Sequence, residues 1–69
     1  MGVVAGIPDL FVPSWMLYIE MKRENGGVVS EAQKKIMSYL TRHGYTCLVC
    51  KGATDASIQV LKFLEERGK

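Results

Sequence analysis

The sequence predicts one α/β domain over residues 1–69, a mixed β-sheet flanked by helices in the order β-β-β-α-β-α. Three observations carry that expectation. Apolar and polar residues alternate through "MLYIEMK", the pattern of a half-buried strand. Apolar residues recur at helical spacing after Ser30 and again after Thr54. Between those helices lies "YTCLVC", a near-continuous apolar run of the kind that fills a strand covered on both faces. A meander followed by a strand–helix–strand crossover makes a mixed sheet.

Taken in order, "VVAG" (residues 3–6) reads as a short first strand. Pro8 opens "PDLFV", the second strand, and Pro13-Ser14 turns the chain. In the third strand Leu17, Ile19 and Met21 share one face, while Tyr18, Glu20 and Lys22 share the other. "RENGG" is a loop whose Gly26-Gly27 pair is free to take positive φ. Ser30 is the expected N-cap of the first helix, with Gln33 completing a capping box. That helix runs to about Arg42-His43 and is expected to bury Ala32, Ile36, Tyr39 and Leu40. Gly44 then stands where a left-handed stop is wanted. Thr54 is expected to cap a last helix whose Ile58, Leu61 and Leu64 make one stripe.

Composition excludes several classes. A chain of 69 residues buries only about 60% of its unfolded surface, so its core has little to spare. Cys47 and Cys50 are three apart on a strand and point to opposite faces, so they cannot pair or share one metal. They read as small hydrophobes in a reduced core. No run approaches the roughly 18 apolar residues of a membrane span, and no membrane partner is expected. "MGVVAG" lacks the basic flank and long apolar stretch of a signal peptide. Gly6 stands where a myristoylation motif requires Ser or Thr. A cytoplasmic location is the expectation from these features. A net charge of +2 does not demand nucleic acid. The basic pairs Lys22-Arg23, Lys34-Lys35 and Arg42-His43 matter if they share a face, and otherwise are solvated surface.

The charges inside the strands raise a sharper question. Matching the apolar faces of "PDLFV" and "MLYIEMK" pairs Leu10 with Ile19 and Val12 with Leu17. The same register sets Phe11 across from Tyr18 and Asp9 across from Glu20, with Lys22 two residues on. Directly opposed residues have Cβ atoms roughly 4.5–5.5 Å apart, and like charges there destabilise a hairpin unless something offsets them. A divalent cation would do so, and carboxylates with waters suit Mg2+ or Mn2+. Solvent exposure with Lys22 screening Glu20 is the plainer alternative.

The ordered set "GIPDL" (Gly6–Leu10), "EMK" (Glu20–Lys22), Gly26-Gly27, Ser30 with Gln33, and Gly44-Tyr45 resembles the PD-(D/E)xK nuclease superfamily. Within it, the set is similar to the VRR-NUC (virus-type replication-repair nuclease) domain over about residues 5–65. The resemblance implies a minimal restriction-endonuclease-like fold. It also implies a Mg2+- or Mn2+-dependent endonuclease that hydrolyses DNA phosphodiesters, selective for branched DNA such as four-way junctions or flaps. Carried over, Asp9 and Glu20 would ligate the metal, with the Met21 backbone carbonyl as a third oxygen. Lys22 would orient or help deprotonate the attacking water. Gln33 would reach the site from the helix start, unless capping is its whole role. Tyr18, Arg23, Ser30, Lys34 and Lys35 are the candidate DNA contacts.

Family members usually carry a helix before the first strand with a glutamate facing the metal. This chain begins at Met1 almost directly in the strand, so a shortened form, a site of fewer ligands, or one completed by another chain is expected. An inactive nucleic-acid-binding module on the same scaffold is the alternative function. The small core and an uncovered first strand also lead to the expectation of a homodimer.

Overall fold

The computed structural model describes residues 6–68. The chain forms β1 (Leu10–Val12), a 3-10 turn (Pro13–Trp15), β2 (Leu17–Lys22), α1 (Glu31–Arg42), β3 (Thr46–Lys51) and α2 (Gly52–Arg67). The strand expected at residues 3–6 lies outside the described residues except for Gly6, which sits in a turn. The sheet order is β1-β2-β3, with β1 antiparallel and β3 parallel to the central β2. This is the mixed sheet with flanking helices that the sequence predicts.

The hairpin between β1 and β2 closes locally. Pro13 presets the first turn residue, and Met16 takes the left-handed conformation at φ 49° while donating its N–H to the Pro13 carbonyl at 3.0 Å. Leu17 and Ile19 then point to the face that α2 covers. There Leu17, Ile19 and Cys50 are buried, with Trp15, Leu48, Ala56, Val60 and Phe63 packed around them. Trp15 meets Phe63 at 6.2 Å between ring centroids.

Both helices roll away from the expected seams. In α1 the inward stripe is Gln33, Ile36, Met37 and Leu40, while Ala32 and Tyr39 lie on the solvent shoulder. Tyr39 instead stacks against His43 one turn on, at 4.3 Å. In α2 the inward residues are Ala56, Val60 and Phe63; Ile58 and Leu61 are exposed. The cause lies at the start of the helix. Gly52, at φ +87°, turns the chain directly from β3 into α2, so Thr54 is already inside the helix and is not its cap. Asp55 takes the capping position's partner, accepting the Lys51 N–H at 2.7 Å.

The same flank of α2 closes the outer edge of β3. Gln59 donates its side-chain amide to the Val49 carbonyl at 2.8 Å, beside the Asp55 contact to Lys51. Two backbone groups that an edge strand would otherwise leave open are thereby taken. On the opposite face of the sheet, Cys47 lies against α1, its Sγ 3.9 Å from the Met37 carbonyl. The two thiols are free and on opposite faces, as expected. Burial pushes both upward; a hydrogen bond with Thr41 partly offsets this at Cys47, and the Asp55 charge adds to it at Cys50.

The packing separates two substitutions that the sequence pattern would treat alike. Leu17→Ala should cost roughly 2–5 kcal/mol, measured by urea unfolding with Trp15 fluorescence as the probe. Leu61→Gln, unfolded at a concentration low enough to keep the chain monomeric, should stay within about 0.5 kcal/mol. Equal losses at the two sites would mean that α2 buries its other flank.

Candidate metal and nucleic-acid site

The hairpin register is Leu10 to Ile19, Phe11 to Tyr18 and Val12 to Leu17, as the apolar faces require. One step beyond the end of β1, Asp9 meets Glu20 through a reciprocal pair of hydrogen bonds. The Asp9 N–H donates to Glu20 Oε1 at 3.2 Å, and the Met21 N–H donates to Asp9 Oδ2 at 3.2 Å. Each carboxylate is thus held by the backbone of the opposite strand. Backbone N–H groups aimed at an anion offset part of the repulsion between the two acids.

The two acids differ in exposure. Glu20 is 5% exposed, and its second oxygen, Oε2, lies 3.2 Å from Lys22 Nζ. Asp9 faces solvent, and its Oδ1 has no partner among the described residues. A buried carboxylate with a lysine and a backbone donor is satisfied. An exposed carboxylate beside it, with one oxygen open, is the half of the pair that a cation can approach.

The position of Asp9 is set from two sides. Gly6, three residues earlier, abuts the first turn of α1 at φ +91°. A Cβ there would stand 2.5 Å from the Ala32 carbonyl oxygen, so only glycine allows this approach. The "GIPD" segment is therefore pinned between the start of α1 and the hairpin.

The donor set fits a hard divalent cation. Two carboxylates offer oxygen only, and Asp9 is open enough for waters to fill the remaining positions. Mg2+ is commonly held in this way, through one or two carboxylates, waters and substrate phosphates. No cluster of three or more His, Cys, Asp or Glu side chains forms among the described residues.

The other sequence-predicted residues fall at varying distances from the pair. Gln33 is on the inward stripe of α1, but its Oε1 accepts the Ser30 N–H at 3.1 Å while Ser30 Oγ accepts the Gln33 N–H at 3.2 Å. Both residues thus form the capping box. Tyr18 lies on the carboxylate face, stacked on Phe11. Arg23 is exposed just past β2, and Lys35 is exposed on α1. Lys34 pairs with Glu31 at 3.4 Å on the open surface.

Two features escaped the sequence reading. The parallel register sets Lys51 beside Lys22, so two amines stand next to each other at the end of the carboxylate face. Tyr45 joins Tyr18 and Phe11 in one aromatic cluster. No turn links β2 to β3, so their register cannot be counted from the chain as a hairpin's can. Matching "LYIEMK" to "TCLVCK" end to end was the available signal. A depression of about 540 Å3 lined by Leu48, Asp55, Gln59 and Phe63 lies on the α2 side of the sheet, away from the carboxylates. Of the acids themselves, Asp9 is exposed and Glu20 is buried.

The profile of the VRR-NUC domain matches residues 1–54, a span that includes Asp9, Glu20, Lys22 and Gln33. No curated protein and no solved structure matches the chain.

The Glu20–Lys22 pair has a testable energetic consequence. Lys22→Met should destabilise the fold by about 1–3 kcal/mol, because it leaves a buried carboxylate without its cation. Adding Glu20→Gln in the same chain should recover most of that loss in urea unfolding. Losses that simply add would show that the two side chains do not depend on each other.

Proposed function

The chain belongs to the VRR-NUC family, a nuclease-type domain, and on that premise we propose that it is a metal-dependent DNA endonuclease selective for branched substrates. The observation that carries this reading is the Asp9–Glu20 pair, with its crossed backbone hydrogen bonds and the Lys22 ammonium at 3.2 Å. A purely structural role leaves two acids apposed at the end of a three-residue strand without a reason.

Asp9 and Glu20, with the Met21 carbonyl, are the groups we assign to a Mg2+ or Mn2+ ion. When bound, such an ion lowers the pKa of a coordinated water and draws charge from a phosphoryl oxygen. The Lys22 ammonium lies beside Glu20, which supports a role in orienting the attacking water and opposing negative charge on the phosphoryl oxygens. In the hydrolysis a water oxygen gives up a proton and bonds to phosphorus, the ester bond to the leaving sugar oxygen breaks, and that oxygen takes up a proton. Lys51, beside Lys22 in the parallel register, and Arg23, just past β2, suit phosphate contacts at the same end of the sheet. Gln33 supports the reading from α1 only if its amide leaves the capping box.

Selectivity for branched DNA is supported by what the domain offers for contact. The exposed Asp9, with Lys22 and Lys51 at the same end of the sheet, suits contact with phosphates, which carry no sequence information of their own. The second reading, a binding module without turnover, draws on the donor count of two carboxylates among the described residues. Homodimerisation is part of the proposal as well. Leu10, Ile58 and Leu61 are 52%, 60% and 65% exposed, and apolar surface of that kind is commonly covered by a second copy.

Labelled duplex, flap and four-way junction DNA, incubated with and without Mn2+, test the activity. Metal-dependent cutting of the branched forms is expected; binding without cutting would favour the second reading. Glu20→Gln and Asp9→Asn should each abolish cleavage while the protein remains folded. Cleavage undiminished in Glu20→Gln would remove the site proposed here. Sedimentation equilibrium at low micromolar concentration should give twice the 7.7 kDa chain mass, and a value near 7.7 kDa would exclude the dimer.

A further inference from the structure

Phe11, Tyr18 and Tyr45 form one aromatic cluster on the face that carries Asp9, Glu20 and Lys22. The Phe11 and Tyr18 rings are stacked, 4.4 Å between centroids and 24° between planes. Tyr45 meets Tyr18 edge-on at 5.5 Å and Phe11 at 6.0 Å. Tyr18 and Tyr45 are half-buried, as packing against α1 and the sheet would produce. Phe11 is different. It is 43% exposed on β1, the strand at the opposite edge of the sheet from β3. One face of its ring is taken by Tyr18, and the ring still has open surface. Hairpin pairing explains the contact between the two rings but not why a bare phenylalanine stands beside the most polar part of the molecule.

Position gives a reason. Residues two apart on a strand share a face and lie roughly 7 Å from each other, so Phe11 is a close neighbour of Asp9. A phosphate drawn to the carboxylate site by a cation and by Lys22 and Lys51 would bring its own nucleotide within reach of the ring. In duplex DNA each base is already stacked and paired, and no face is free to meet a side chain. An unpaired base has that face free, and stacking on aromatic rings is how single strands are commonly held.

We propose that Phe11, supported from behind by Tyr18 and Tyr45, is a stacking platform for an unpaired DNA base beside the carboxylate pair. The substrate class is then DNA with a single-stranded segment at the site of cutting, such as a flap, in preference to fully paired branches. This rests on the nuclease reading for the identity of the polymer; the stacking itself rests on the ring geometry.

Binding in the presence of a chelator tests it apart from catalysis. Fluorescence anisotropy with a labelled oligothymidylate and a labelled blunt duplex gives the ratio of the two affinities. Phe11→Leu keeps apolar bulk and removes the π-face, and should lower that ratio about tenfold. Phe11→Trp should retain it, and the indole it introduces should be quenched by the oligomer, while Trp15 on the other face of the sheet should not respond. A ratio unmoved by Phe11→Leu, in a wild-type protein that binds duplex, overturns the stacking and leaves the nuclease reading standing. A sedimentation change in Phe11→Leu without a change in the ratio would assign the ring to a contact between copies and likewise overturn it. Failure of the wild type to bind either DNA, both with the chelator and with Ca2+ in its place, defeats the nuclease reading and this inference with it.

Discussion

Asp9 and Glu20 face each other across the β1–β2 hairpin, and two acids so close repel unless dipoles or cations intervene. The protein answers with local means. Two backbone N–H groups cross between the strands, and Lys22 closes on the buried acid. Much of the surrounding architecture serves to keep that arrangement fixed. Leu17 and Ile19 anchor β2 in the core by one face, so that Glu20 on the other face cannot turn away without pulling out its neighbours. Gly6 presses the preceding segment on α1 and so limits where Asp9 can go. The compensation is uneven: Glu20 has partners for both oxygens, whereas the second oxygen of the exposed Asp9 has none among the described residues.

That asymmetry was legible in the sequence only in part. The hairpin register followed from matching apolar faces, since a slip of one residue would have exposed Leu17 and buried Tyr18's neighbours. The mixed sheet, the capping box at Ser30 and Gln33 and the stop at Gly44, with φ +90°, were legible for the same kind of local reason. The seams of the helices were not. Tyr39 fits a buried stripe by spacing, yet its position on the shoulder of α1 lets it stack on His43. In α2 the start of the helix at Gly52 sets the rotation, and a positive-φ junction gives no periodic signal. Lys51 and Tyr45 were invisible for a third reason: they reach the site across a parallel pair whose register no turn dictates.

The uneven covering of the sheet follows from these rotations. α2 lies over β3 and β2, with Asp55 and Gln59 turned to the outer edge of β3 and Leu61 to the other side. β3 therefore has part of its edge occupied by side chains, a known way to discourage pairing with another strand. The uncovered apolar residues collect elsewhere. Leu10 shares the core face with Leu17 but lies at the β1 side, beyond the reach of α2, and is half exposed. Any covering partner, a second copy included, meets the molecule on that side more readily than along β3.

The exposed Asp9 side of the carboxylate pair also bears on how selectivity can arise. A deep pocket would select a small substrate by enclosure, and the depression beside α2 lies across the sheet from the acids. At a shallow face only a polymer can make enough contact, through charges spaced along it. Lys22 and Lys51 at one end of the face and Phe11 at the other bracket the acids with two kinds of contact. Amines hold phosphate in any sequence and any strand form. A ring accepts a base only if that base is free of its partner. On the nuclease reading proposed above, two contacts of such different character on either side of the carboxylate pair would let a domain of this size discriminate by DNA structure without reading base edges.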